Sequence, residues 1–539
     1  MLTTFCIGFL FSCLVKKLFS YTITNPGSIL MAGFIIATVY AQIWSLFGGV
    51  GMAANLAWLS VCVVSVVCLR KQMGKQLSKL WREQSFACKI ILVILYAAWA
   101  YFASRGYFAY DSDLYHGQSI RWIEEYGVVK GLGNLHERFA YNSSYFAVSA
   151  LFSMKFLVGR SLHGLGGYLA FLLSAATLDV GKAWKRKGLV WSDYARIAAI
   201  YYLATITDEV SAPASDFAIM CMLFWIVIRW IAALEDEETK KAIAPFALLC
   251  VAGVYALTLK LTAGLILLLL IKPAGALIRE KRGKEIALYL GMGLLVAVPW
   301  FVRTVLISGW LLYPFESLDL FDVDWKMHPQ VVAVDAANIK TWARGLYQTS
   351  LVDMPITEWF PIWFKQELSR TEKLLILVCI AEMLLVAGIL LWHIFRKNKT
   401  AWDEILVMIT VMASYLFWQC SAPLMRYGYA NVLLMAALPV GFLLTHWGGR
   451  QILVWLVCLY GVYKLVMIGK YAYDGRLAGQ WFWPPEYGQY EVESYQIEDF
   501  TFYYPLYGDR TGYDAFPGGP ERRDIQLRGD GLEDGFRHP

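Results

Sequence analysis

The chain has 539 residues, 58% of them apolar and only 17% charged, with a mean hydropathy of +0.48, where soluble domains carry roughly 25% charge. That balance excludes an ordinary soluble enzyme. The net charge of +6 is taken up by short loops between apolar runs, and with neither a nucleic-acid-binding motif nor a solvated basic stripe, no nucleic-acid partner is expected.

A helix needs about 20 mostly apolar residues to cross roughly 30 Å of hydrocarbon. Barrel strands would alternate in polarity, and the apolar runs here do not. Spans are expected near 1–20, 28–47, 51–69, 87–104, 163–181, 194–208, 213–233, 242–259, 261–278, 286–306, 373–395, 404–420, 427–446 and 451–469. The fold class is therefore an all-α polytopic membrane protein of about 12–14 transmembrane helices, with the bilayer as its first partner. The first run is read as a short span and not a signal peptide: it has no basic region before it, no small-residue cleavage site after it, and Lys16 and Lys17 at its end.

Lys and Arg in short loops mark the cytoplasmic side. They cluster between Arg70 and Arg82, in KAWKRK (182–187), in REKRGK (279–284) and at Arg396, Lys397 and Lys399. All four clusters share one side only if the apolar stretch 143–158 is a helix lying in the opposite interface and not a span. The chain then divides into N-terminal spans (1–104), a first outer loop with interfacial helices (105–162), central spans (163–306), a second outer loop (307–372), C-terminal spans (373–469) and an extracytoplasmic tail (470–539). The ten cysteines lie in or beside spans, so neither a disulfide framework nor a zinc site is implied. In the tail, the alternation in YEVESYQI (490–497) and DFTFYYPL (499–506) predicts a small β-rich unit.

The outer segments carry the polar chemistry. YDSDLYH (110–116) opens the first loop. Asp111 or Asp113 there serves either as a helix N-cap or as a general base that takes a proton from a hydroxyl, and a D-x-D pair also offers oxygen ligands to a divalent cation. Whether a metal is bound is left open. His116 and His136 flank the loop as secondary candidates. Asp216, in SAPASDFAIM (211–220), heads a later span.

Lys260 interrupts the apolar stretch VAGVYALTLKLTAGLILLLLI. At mid-membrane depth its charge would cost about 2.5–3.5 kcal/mol, so a helix hairpin turning at the outer interface is expected. There it either snorkels or meets an anionic lipid headgroup. Arg303, in PWFVRTVLISGWLLYPF (299–315), and Arg426, in APLMRYGYA (422–430), occupy similar depths, and three such cations suit a phosphate leaving group. Trp359 and Trp363, four apart in EWFPIWF (358–364), are either aromatic-belt residues or a stacking platform for a sugar. Glu382 is the plainly mid-depth acid, and little else in the spans suggests a polar path of the kind a transporter needs.

In their order along residues 87–446 these motifs resemble those of the GT-C superfamily of membrane glycosyltransferases, such as the dolichyl-phosphate-mannose protein mannosyltransferases and the bacterial aminoarabinose transferases. The matching parts are the aspartate of YDSDLYH followed by YNSSYFAVSALFS, Asp216 at the head of a span, the hairpin lysine of LTLKLTAG, and a P-W-x-x-R segment ending in an aromatic-Pro pair. The chain departs from the mannosyltransferases where their D-E pair reads Asp111-Ser112 and their Arg-Asn reads Arg303-Thr304. The loop also resembles that of large bacterial membrane proteins with YD-x-x-LYH and GLGNLH.

That resemblance implies a polyprenyl-phosphate-linked sugar as donor and a glycan, lipid or protein as acceptor. It further implies inversion at the anomeric carbon and an active site on the outer face of a bacterial inner membrane. Asp111 would be the base, and Lys260, Arg303 and Arg426 would stabilise the departing phosphate. Asp216 would orient the acceptor or a metal, and Asp113, His116 and Trp359 are further substrate-binding candidates. A lipid-linked polysaccharide polymerase or ligase, or a flippase for a lipid-linked glycan, is the alternative.

Overall fold

The computed structural model describes residues 1–104, 109–396, 401–446, 451–473 and 486–539. Every run expected to span forms a helix. Among the described residues, eleven of these helices are long and apolar enough to cross a membrane, making this a multi-pass membrane protein. The other three, Leu165–Thr177, Trp191–Thr205 and Ala244–Leu259, have 13, 15 and 16 residues. At 1.5 Å per residue they reach only about 20–24 Å, and they are enclosed by longer neighbours. Leu261–Leu270 follows 3-10 geometry before the α-helix Ile271–Arg279. The larger 3-10 rise lets this pair reach about 33 Å, enough for the hydrocarbon.

Ser215–Glu235 is the central helix. From Phe217 to Leu234 every residue except Arg229 and Ala232 is buried, as expected of a helix that is apolar all round. By contrast Arg370–Arg396 and Gln451–Tyr473 run at the periphery, exposing Leu374, Leu384, Leu459 and Val466, side chains that hydrocarbon covers at no cost. Alternation of direction along the helices puts the basic clusters 70–82, 182–187 and 279–284 at one end of the bundle and the long loops and tail at the other. Lys397 and Lys399 of the fourth cluster lie outside the described residues, as does the start of the tail at Trp481.

The apolar stretch 143–158 does not span, because its helix Ser144–Phe152 has nine residues and reaches only about 14 Å. It packs against its neighbours and does not lie open to lipid. Ser144 through Leu151 are all buried. Its start is tied to the end of helix Ala244–Leu259: Ser143 Oγ donates to the Leu259 carbonyl at 2.9 Å, and the Ser144 and Thr258 hydroxyls meet at 2.9 Å. A backbone carbonyl and a neighbouring hydroxyl thus satisfy the two serines where the segment is buried.

The tail forms the expected β-rich unit. Val492–Ile497 pairs antiparallel with Phe500–Pro505, Val492 opposite Pro505 and Ile497 opposite Phe500, and a second short ladder joins Gln526–Leu527 to Phe536–Arg537. Among the described residues its apolar side chains form no separate core. Phe502 and Phe536 pack with Trp122, Leu135 and Phe139 of the first outer loop and Trp310 of the second, so tail and loops form one cap on the end of the bundle.

Candidate functional site

Asp111 introduces a π-helical turn, Ser112–His116, closed by the Gly117 N–H donating to the Ser112 carbonyl and running on as the α-helix Gly117–Glu125. Such wide turns rotate side chains off the ordinary helical track and recur at functional sites. The Asp111 carboxylate makes no capping hydrogen bond to this turn. It accepts instead from Arg426 Nη2 at 2.6 Å.

Arg426 is the second residue of helix Met425–His446, which bends at Gly428. A Cβ on Gly428 would lie 2.3 Å from Trp418 Cδ1, so only glycine allows this approach of the two helices. On its other side Arg426 Nε is 3.7 Å from Asp216 Oδ2. Asp216, in the first turn of Ser215–Glu235 where the helix dipole favours an acid, is also ion-paired with Lys260. Lys260 is an extended residue between Ala244–Leu259 and Leu261–Leu270, the hairpin turn expected from its cost in lipid. Its ammonium sits 3.4 Å from the centre of the Tyr427 ring, a cation–π contact.

Asp111, Arg426, Asp216 and Lys260 thus alternate in sign in a short chain of contacts drawn from four separate elements. They are partly open, with side-chain exposures of 14%, 34%, 13% and 23% in that order. Burial pushes the Asp111 carboxyl up, but the charges of Arg426, His116 and Arg138 and the Arg426 hydrogen bond together hold it below the usual carboxylate range. His116, buried against Phe146 and Tyr115, is pushed down to about 4 by burial, so its imidazole is neutral at pH 7.

The other expected site residues lie elsewhere. Asp113 turns away from Asp111 and accepts from the Gly488 N–H at 3.0 Å and the Tyr490 hydroxyl at 2.8 Å, fastening the tail. Arg303 is 1% exposed and donates to Asn142 Oδ1 at 3.0 Å and to Ser45 Oγ, holding the first loop to two helices apart from the charged group. Trp359 and Trp363 are 2% and 1% exposed. Arg344 covers Trp359 at 4.6 Å and Trp363 Nε1 donates to the Pro423 carbonyl at 3.0 Å, so their four-residue spacing serves packing and leaves no open face for a sugar. His136 is buried 3.4 Å from Glu137.

Two contributors carry little signal in the sequence. Tyr427 is one aromatic among many, and Arg138 reads as a loop charge. Nothing local marks their neighbours. Among the described residues no three His, Cys, Asp or Glu side chains come together as a metal-binding group. The two carboxylates at hand, Asp111 and Asp216, are held by Arg426 and Lys260.

Comparison with known proteins adds the following. No curated protein matches the sequence. Among solved structures the chain is similar to arabinosyltransferase EmbB from Mycobacterium smegmatis, at 16% identity and a TM-score of 0.35, with 72% of this chain and 34% of that one covered; the chain therefore spans about a third of the length of that protein. A family model described as "Domain of unknown function (DUF8201)" matches residues 1–433. With four-fifths of its length inside that match, the chain belongs to the DUF8201 family.

Proposed function

We propose that this protein is an integral-membrane glycosyltransferase that moves a sugar from a polyprenyl-phosphate donor to a glycan, lipid or protein acceptor on the extracytoplasmic face of a bacterial inner membrane. The observation that supports this reading is the meeting of Asp111 with Arg426 at 2.6 Å, beside the Asp216–Lys260 pair, at the loop-bearing end of the bundle. A base and two cations within one contact chain are what sugar transfer from a lipid phosphate requires.

In the reaction so read, the donor phosphate enters between Lys260 and Arg426. It competes with Asp216 and Asp111 for them, and Asp111 is released toward the acceptor hydroxyl. The bond from the anomeric carbon to the phosphate oxygen breaks as the acceptor oxygen attacks from the opposite face, giving inversion. Asp111 takes the hydroxyl proton, and Lys260 and Arg426 stabilise the departing phosphate. A depressed carboxylate is a weak base, but it is fully ionised at pH 7, and a transition state with oxocarbenium character asks for little proton abstraction. Asp216 orients Lys260 and the acceptor, or holds a divalent cation if one takes part.

The test is a lipid and glycan comparison of a deletion strain with its parent, followed by transfer from a synthetic polyprenyl-phosphate sugar to the glycan found shortened. Accumulated lipid-linked sugar with loss of that transfer supports the reading. Purified protein that moves a solute across liposomes and transfers no sugar sinks it.

A further inference from the structure

At the basic end of the bundle, remote from the charged group around Asp111, a half-open crevice of about 690 Å³ lies between the starts of helices Ala244–Leu259 and Trp402–Ser421 and the end of Ile271–Arg279. Lys240, Lys241, Lys272 and Arg279 line it. Two of these are compensated: Lys240 pairs with Glu404 at 3.0 Å and Lys272 with Asp403 at 2.5 Å. Glu280, also in the lining, pairs with Arg282 at 3.4 Å. No ion pair among the described residues takes up the charge of Lys241 or Arg279.

The backbone adds to this field. Helix Ala244–Leu259 has no acid in its first turn and no side-chain cap, so no side chain offsets the positive end of its dipole, and Ala242, Ile243 and Phe246 at that end line the crevice. The rest of the lining is apolar: Ile271, Leu406 and Ile409 form a wall, with Phe246 buried behind it under Lys272, and Trp402, 47% exposed, stands at the rim as tryptophans do at a bilayer interface.

We propose that this crevice binds the phosphate headgroup of an anionic phospholipid, with Lys241 and Arg279 on the phosphate and the apolar wall against the upper acyl chains. The anionic class follows from the two uncompensated cations and the helix start. A lipid is favoured over a free phosphate because the pocket is half apolar and sits where the spans leave the hydrocarbon.

The test is native mass spectrometry of the purified full chain, delipidated and re-equilibrated with equimolar phosphatidylglycerol and phosphatidylcholine. The expected result is at least fivefold preferential retention of phosphatidylglycerol, lost in Lys241→Gln/Arg279→Gln and unchanged by millimolar inorganic phosphate. A second variant guards against misfolding of the first. A Cβ at Gly275, in the same lining, meets nothing within 4 Å, so Gly275→Glu folds and places a carboxylate in the crevice, and it too abolishes the preference. Equal retention of the two lipids overturns the proposal, as does unaltered preference in both variants. Displacement of the lipid by inorganic phosphate alone assigns the crevice to a soluble anion and likewise overturns it.

Discussion

Arg426 and Asp111 are 315 positions apart in the chain and 2.6 Å apart in the fold. Their pair joins the last third of the spans to the head of the first outer loop. It also explains why Asp111 does not cap the turn it begins: its carboxylate is committed to a cation on another helix.

If Asp111 is the base, Asp111→Asn keeps the shape and a hydrogen bond to Arg426 but cannot take a proton. Sugar transfer from a polyprenyl-phosphate donor falls about 10²–10⁴-fold, while donor binding, read by titration, stays within a few fold. Unaltered turnover removes Asp111 from the mechanism.

Arg426 faces two carboxylates, at 2.6 Å through Nη2 and 3.7 Å through Nε, a geometry that uses the guanidinium fork. Lysine cannot serve both. Arg426→Lys therefore lowers kcat/KM by about tenfold or more, corresponding to roughly 1.4 kcal/mol. Transfer kinetics matching the wild type would show that the fork is not used.

Arg303 is predicted to matter for folding and not for the donor. Removing it leaves the buried Asn142 Oδ1 without its donor, at about 1–3 kcal/mol, while Ser45 keeps its hydrogen bond to the Gln42 carbonyl. Arg303→Met thus lowers the thermal midpoint while leaving the donor KM of the folded fraction unchanged. A raised donor KM with normal stability would instead return Arg303 to the phosphate site.

The cap depends on Asp113. Asp113→Ala removes the acceptor for Gly488 and Tyr490, and limited proteolysis should then cut the tail, residues 486–539, several-fold faster than in the wild type. An unchanged cleavage pattern would mean that the shared apolar core alone holds it.

Acid sensitivity has two windows. Burial pushes His116 down to about 4 and His163 down to about 3, so the fold prefers both neutral. Their contribution is complete above pH 6.5 and is lost as pH falls through 4 and 3. Burial pushes the Glu137 carboxyl up, but His136 and Arg523 outweigh it and hold it at about 2. Its contribution is present above pH 4.5 and is lost toward pH 2. Melting midpoints should fall with acid across both windows. The His116→Gln/His163→Gln pair flattens the first window and Glu137→Gln the second; parallel curves for all three proteins would contradict the assignment.

Much of the architecture was legible in the sequence, and the reason is local. Hydrophobic runs report spans because lipid tolerates no unsatisfied backbone, and the alternation around Tyr495 and Phe502 reports strands because one face of the ladder is buried. The cost of a charge in hydrocarbon placed Lys260 at a turn. Composition likewise excluded a soluble enzyme. Apolar pattern kept the 143–158 segment out of the spans but did not show that Ser144–Leu151 pack against neighbouring helices, because hydropathy cannot tell lipid contact from contact with protein.

The charged residues show the boundary most sharply. Lys260, Arg303 and Arg426 look alike in the sequence, as cations at the ends of apolar runs. Tertiary packing decided that two of them meet Asp111 and Asp216 while Arg303 is spent on Asn142 and Ser45. It also turned Asp113 toward the tail, two residues from Asp111. Whether a segment is apolar and long enough to cross a bilayer follows from its own transfer free energy, so the sequence alone determined where the spans lie. Which side chains face one another depends on the rotation and crossing of helices hundreds of residues apart, and packing alone determines that.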